Sequence, residues 1–158
     1  LGGGMSSRLF TEVRERRGLA YSVRTSLDRF LDTGEFVSYA GVDVVKAPEA
    51  IKVVLEEHYK IAGNKHGITT KELKKAKEYI KGHLALSLED TRDVNGFYGE
   101  NELMLGKIET PEEVFAGIDK VTIGDVVNRA KELFVPQRLN LAIIGPYKNQ
   151  EPFEKIVS

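Results

Sequence analysis

The sequence predicts an α+β fold: a two-layer domain, a largely antiparallel sheet with helices packed on one face. Three observations carry this. A stretch with period-two alternation and a second strand pattern flank Asp32-Thr33-Gly34, most helical patterns fall in one consecutive run behind them, and a short apolar strand pattern follows near the end.

Met5, Leu9 and Val13 stand at i, i+4 and i+8, which predicts one apolar stripe of a helix running to about Arg17. Gly18 supplies a helix stop, with Arg14, Arg16 and Arg17 in the last turns where the macrodipole favours cations. From Leu19 the period becomes two. Leu19, Tyr21, Val23, Thr25 and Leu27 share one face; Ala20, Ser22, Arg24, Ser26 and Asp28 share the other. Asp32-Thr33-Gly34 is a turn signal, and Phe36 to Val44 are expected to return as the second strand of a hairpin. Gly41 inside it marks a bulge or a close backbone approach.

Pro48 suits a first helical position, and Ala50, Ile51, Val54, Leu55, His58, Ile61 and Ala62 keep helical spacing as far as Gly63. Thr69 with Glu72 forms a capping-box pattern that opens a long helix with the stripe Leu73, Ala76, Ile80, Leu84, Ser87 and Leu88. Polar residues Thr91 to Asp93 are expected to break or kink it before Val94, Phe97, Tyr98, Asn101 and Leu105 resume the spacing. Thr110-Pro111-Glu112-Glu113 and the Thr122/Asp125 pair start two further helices, the second stopped by Pro136. Leu139 to Gly145 is expected as a strand in the sheet interior, and Glu151 onward as a last helical turn. Three strands are few for so much helix, so further strands are expected upstream of Leu1. The 158 residues are expected as a single domain and a piece of a longer chain.

Composition narrows the function. A formal net charge of −1 argues against bulk attraction to nucleic acid or membrane, and no run approaches the roughly 18 apolar residues of a membrane helix. The absence of cysteine excludes disulfides and thiolate zinc sites and fits a bacterial cytoplasm. His58, His66 and His83 have no metal-binding spacing; the nearest pattern, Val54-Leu-Glu-Glu-His58, has valine where the first ligand would stand. No metal site is expected in this chain. Gly2-Gly3-Gly4 lacks the lysine and hydroxyl residue of a phosphate loop, so it reads as a close-packing turn. Glu12 and Glu15 cancel much of the arginine cluster's field, which favours a solvated face over a nucleic-acid site. Tyr21, alternating with Leu19 and Val23, reads by itself as a core aromatic. The reversal at Gly18 nonetheless lets an arginine of the last turns converge on Tyr21, and a guanidinium and a phenol are both donors suited to an oxyanion or a peptide carbonyl. Spacing leaves open which arginine.

The run Leu1-Gly-Gly-Gly-Met-Ser-Ser-Arg-Leu-Phe, followed by Glu-Val-Arg14-Glu and by Arg-Gly-Leu-Ala-Tyr21, resembles the second half of the pitrilysin-type zinc peptidases. The resemblance is to the branch of mitochondrial-processing-peptidase-like proteins, bacterial processing proteases and bc1 core subunits. It extends through Asp32-Thr-Gly34, the Thr69 capping box, Lys81 to Glu89, Leu103-Met-Leu-Gly106 and Leu141-Ala-Ile-Ile-Gly-Pro146. It implies one half of a clamshell closing on an extended peptide. The first half of such a protein carries His-x-x-Glu-His and a distal glutamate for zinc, and the second supplies an arginine and a tyrosine seven residues apart. Here that pair would be Arg14 and Tyr21. The resemblance further implies zinc in the other half, a zinc-bearing N-terminal half or partner subunit, a peptide substrate, a dimer in the full protein, and no activity for this chain alone. The alternative it leaves is a non-catalytic peptide-binding partner or a structural core protein on the same fold.

Overall fold

The computed structural model describes residues 1–63 and 67–157. His66, among the histidines weighed above, lies outside them. The chain forms two compact units: residues 1–67 with 128–158, and residues 68–127.

The first unit opens with a wound segment whose residues Phe10–Arg16 are π-helical. It closes through Gly18, whose φ of +57° places it in the left-handed region. The Gly18 N–H donates to the Arg14 carbonyl (3.1 Å) and the Leu19 N–H to the Val13 carbonyl (2.8 Å). The latter spans one residue more than the outer bond of a Schellman close, as the wider winding requires. Leu9 and Val13 are fully buried, whereas Met5 is 78% exposed, so the expected stripe loses its first member. Met5 lies in the turn ahead of the winding, and helical spacing does not apply there.

Strand β1 (Ala20–Arg29) pairs antiparallel with β2 (Gly34–Val42). The turn is closed by the Phe30 N–H donating to the Thr33 carbonyl at 3.0 Å. Ala20 faces Val42 and Ser22 faces Gly41, so Tyr21 is the extra residue of a bulge, and the glycine expected to mark one lies across from it. The bulge breaks the alternation read from sequence. Leu19, Ala20 and Val23 are buried, while Tyr21 is 84% exposed and Leu27 is exposed as well. Gly2 lies against β1: its carbonyl accepts from the Thr25 N–H at 3.1 Å, and a Cβ there would lie 2.6 Å from Thr25 Cγ2. The glycine loop is therefore the close-packing turn its composition suggested.

Helix α1 (Ala47–Ala62) has Pro48 in its first turn and buries Ala47, Ala50, Val53, Glu57, His58 and Ile61. Ala50 and Val53 join Leu9, Val13, Leu19, Ala20 and Val23 in one core, with Leu1, Phe10, Val42 and Val54 packed at its margin. Glu57 is buried beside the Lys60 ammonium at 2.6 Å. The C-terminal helix α6 (Glu151–Val157) packs on α1 and buries Phe153, which meets Tyr147 edge to face. The Tyr147 hydroxyl donates to the Val44 carbonyl at 3.1 Å.

The second unit holds α2 (Thr70–Ser87), α3 (Thr91–Leu105), α4 (Pro111–Lys120) and the start of α5 (Ile123–Leu133). The expected break falls at Asp90, whose carboxylate caps α3, and Gly106 ends that helix at φ +61°. Thr69 accepts from the Glu72 N–H, and Thr110 with Glu113 completes a reciprocal capping box. Thr122 and Asp125 repeat the exchange at α5. Between α2 and α4, the Lys81 ammonium reaches Asp119 at 2.9 Å. Neither α2, α3 nor α4 buries a residue fully, and Ile80 of the expected stripe is half exposed.

The class is α+β, with one correction. Leu139 to Gly145 forms no strand: it runs irregularly behind a 3₁₀ turn (Pro136–Arg138), with Leu141, Ile143 and Ile144 exposed. The described sheet has only β1 and β2. An apolar run becomes a strand only by pairing its backbone, and among the described residues no third strand pairs with it.

Candidate functional site

The opening 21 residues place Arg14 and Tyr21 on either side of the Gly18 reversal, both exposed. The left-handed turn folds β1 back beside the end of the winding. The bulge then turns Tyr21 away from the core that Ala20 and Val23 enter. As a result the Arg14 guanidinium carbon lies 5.6 Å from the Tyr21 ring centroid. On its other contact it lies 4.9 Å from the Phe10 ring. Lys46, just ahead of α1, donates to the Gly18 carbonyl at 3.0 Å and ties the reversal down.

The three arginines differ in their partners. Arg16 pairs with Glu12 at 2.5 Å, and Arg17 lies 3.9 Å from the same carboxylate. Among the described residues no carboxylate pairs with Arg14; its contacts are the two rings. Its N–H edges and the Tyr21 phenol are thus donors on one exposed surface, chemically able to hold a carbonyl or an oxyanion. The bulge lies opposite Gly41, where the sequence suggested one, but its effect of exposing Tyr21 was not foreseen, nor was the ring of Phe10. The four-residue spacing from Phe10 to Arg14 could have signalled the ring contact.

Neither described histidine belongs to a zinc site. His58 is 9% exposed, with Nδ1 2.6 Å from the Val54 carbonyl and Nε2 3.0 Å from the Ser38 hydroxyl. A carbonyl only accepts, so Nδ1 carries the proton and Nε2 accepts from Ser38; neither nitrogen is open to a metal. Phe36 and Phe134 meet the imidazole edge to face at 5.8 and 4.8 Å. Burial among these groups pushes the His58 pKa below its ordinary 6.5, and the Val54 hydrogen bond opposes this. His83 packs beside Tyr79 at 4.3 Å. Among the described residues no three His, Cys, Asp or Glu side chains cluster to hold a metal, and none of the helices is long and apolar enough to cross a membrane.

Over residues 1–80 the chain matches the family described as the peptidase M16 inactive domain. It is 38% identical over 151 residues to an uncharacterized zinc protease of Mycobacterium leprae, covering 96% of this chain and 33% of that protein. It is 39% identical over 149 residues to an uncharacterized zinc protease of Bacillus subtilis, covering 94% and 36%. The chain thus spans about a third of the length of the curated relatives it matches. Among solved structures it resembles a chain of complex III2 from Candida albicans, with a TM-score of 0.72 at 26% identity over 80% of this chain and 30% of that one. It also shares the fold of a Helicobacter pylori protease, with a TM-score of 0.65 at 24% identity over 84% and 31%.

Proposed function

This chain belongs to the family of peptidase M16 inactive domains, and we propose that it is the substrate-clamping half of a zinc-dependent endopeptidase acting on extended peptides. Zinc would be held by a zinc-bearing N-terminal half or partner subunit; among the described residues here no three His, Cys, Asp or Glu side chains cluster to hold it. The full protein would work as a dimer, and the cysteine-free composition suits a bacterial cytoplasm.

One observation supports this reading: the Arg14 guanidinium lies 5.6 Å from the Tyr21 ring centroid, and both side chains are exposed beside the Gly18 turn. An extended peptide laid across them would present a carbonyl to the guanidinium edge and to the phenol. As the scissile carbon became tetrahedral, negative charge would grow on its oxygen, and both hydrogen bonds would strengthen. Charge-assisted donation from Arg14 contributes most to the charged state, and Tyr21 fixes direction. Burial of Leu9 and Val13 anchors the wound segment that carries Arg14, and orientation-dependent catalysis requires such an anchor. No proton needs to leave either group.

The test is reconstitution. The purified chain alone is expected to cleave no peptide and to bind no stoichiometric zinc, and addition of the zinc-bearing half is expected to yield peptide turnover. Cleavage by the chain alone, or a reconstituted complex that turns over no extended peptide, would overturn the proposal. The likeness to a complex III2 chain favours a second reading, a non-catalytic partner or structural core protein. In that case joint replacement of Arg14 and Tyr21 would leave assembly and function unchanged.

A further inference from the structure

Exposed arginines have long stems that sample many rotamers, so a guanidinium expected to meet a substrate carbonyl needs something to hold it. Among the described residues no carboxylate does so; Glu12, on the same wound segment, is engaged by Arg16 and Arg17. The ring of Phe10 stands in that place. It lies four residues before Arg14 on the same wound segment, and the guanidinium carbon sits 4.9 Å from its centroid. Phe10 itself is anchored, half-buried against the core of Leu9, Val13, Leu19 and Val23. The Tyr21 ring meets the same guanidinium at 5.6 Å. The cation is therefore in contact with one ring fixed by the core and one ring turned outward by the β1 bulge. A planar guanidinium resting on aromatic faces keeps its N–H edges free to donate, which a carboxylate partner would not allow.

We propose that Phe10 is a positioning residue: its ring holds the Arg14 guanidinium beside Tyr21 so that both donors face one substrate carbonyl. This rests on the reading of Arg14 and Tyr21 as substrate donors. Phe10 touches no substrate in this account. The contact also gives the π winding a use, because it sets Phe10 and Arg14 on one side while Leu9 and Val13 point into the core.

The experiment compares Phe10→Leu, which keeps apolar bulk without a ring, with Phe10→Tyr, which keeps the ring. In proton NMR of this chain, the Arg14 side-chain signals are expected upfield from the ring currents, to shift back in Phe10→Leu and to stay in Phe10→Tyr. Unmoved Arg14 signals in Phe10→Leu overturn the proposal, and a thermal melt checks that this variant is folded. In the reconstituted peptidase, Phe10→Leu is expected to lower kcat on the order of tenfold with little change in KM. That lies between the few-fold worth of one exposed cation–π contact and the roughly 10²-fold cost of a misplaced group. Phe10→Tyr is expected to restore it. On an Arg14→Ala background Phe10→Leu should have no further effect; an equal drop there would mean that Phe10 acts only through packing, and the proposal falls. If Arg14→Ala is impaired and Phe10→Leu is not, the positioning role alone fails. If Arg14→Ala is itself silent, the reading of Arg14 fails and takes this inference with it.

Discussion

Folding moves His58 from water to a site that is 9% exposed, between Phe36 and Phe134, with Nδ1–H on the Val54 carbonyl and Nε2 accepting from Ser38. The neutral ring has both nitrogens satisfied, while the imidazolium would lose hydration and the Ser38 bond as drawn. Desolvation therefore lowers the folded pKa below 6.5. The sign follows from proton counts. Between the lowered folded value and 6.5 the unfolded chain binds more protons, so stability rises with pH there. The contribution is fully present above 6.5 and is lost as pH falls through 6.5 toward the folded value. Taking an unfolded pKa of 6.5 and a folded ring that stays neutral, the loss from about pH 7.5 to about pH 5.5 has a ceiling of about 1.4 kcal/mol. The Val54 bond and the neighbouring Glu57 carboxylate act against the shift and bring the loss below that ceiling. The assay is urea unfolding of this chain and of His58→Gln at three pH values across that range. Every other ionisable group is common to both proteins, so the difference between the two pH dependences isolates His58. The wild-type chain is expected to lose more stability on acidification than the variant. Parallel pH dependences, or a wild-type chain that gains stability toward acid, would refute the account of His58 as a neutral, satisfied core residue.

Gly18→Ala is expected to cost about 1–2 kcal/mol, because φ is +57° and an added Cβ meets nothing within 4 Å, so only backbone strain is involved. A thermal melt measures it, and Gly18→Asn should recover part of the loss. Leu9→Ala empties a fully buried core position and is expected to cost roughly 2–5 kcal/mol by denaturant unfolding; a loss under about 1 kcal/mol would mean that the core is not packed as described.

Much of this fold was legible because its punctuation is local. Thr69, Thr110 and the Thr122/Asp125 pair satisfy helix N-termini with their own side chains, and Gly18 and Gly106 take left-handed φ values that few other residues tolerate. The losses came where a long-range partner decides. Period-two alternation put Tyr21 in the core with Leu19 and Val23, but the extra residue opposite Gly41–Val42 shifts the phase, and alternation alone does not reveal a bulge. Leu139 to Gly145 has strand composition without a pairing edge among the described residues. Met5 shares spacing with Leu9 and Val13 but precedes the winding. At the candidate site, seven-residue spacing named Arg14 through family resemblance. Ion pairing and ring contacts distinguish it physically: Arg16 and Arg17 go to Glu12, and Arg14 goes to Phe10 and Tyr21.

The clamp account rests on two donors, so its most direct test is single-turnover peptide cleavage by the reconstituted peptidase carrying Arg14→Ala or Tyr21→Phe. Each substitution removes one donor from the developing oxyanion and leaves the buried core untouched. Each is expected to lower kcat on the order of 10²-fold, with peptide affinity changed much less. Wild-type turnover in both variants would contradict it.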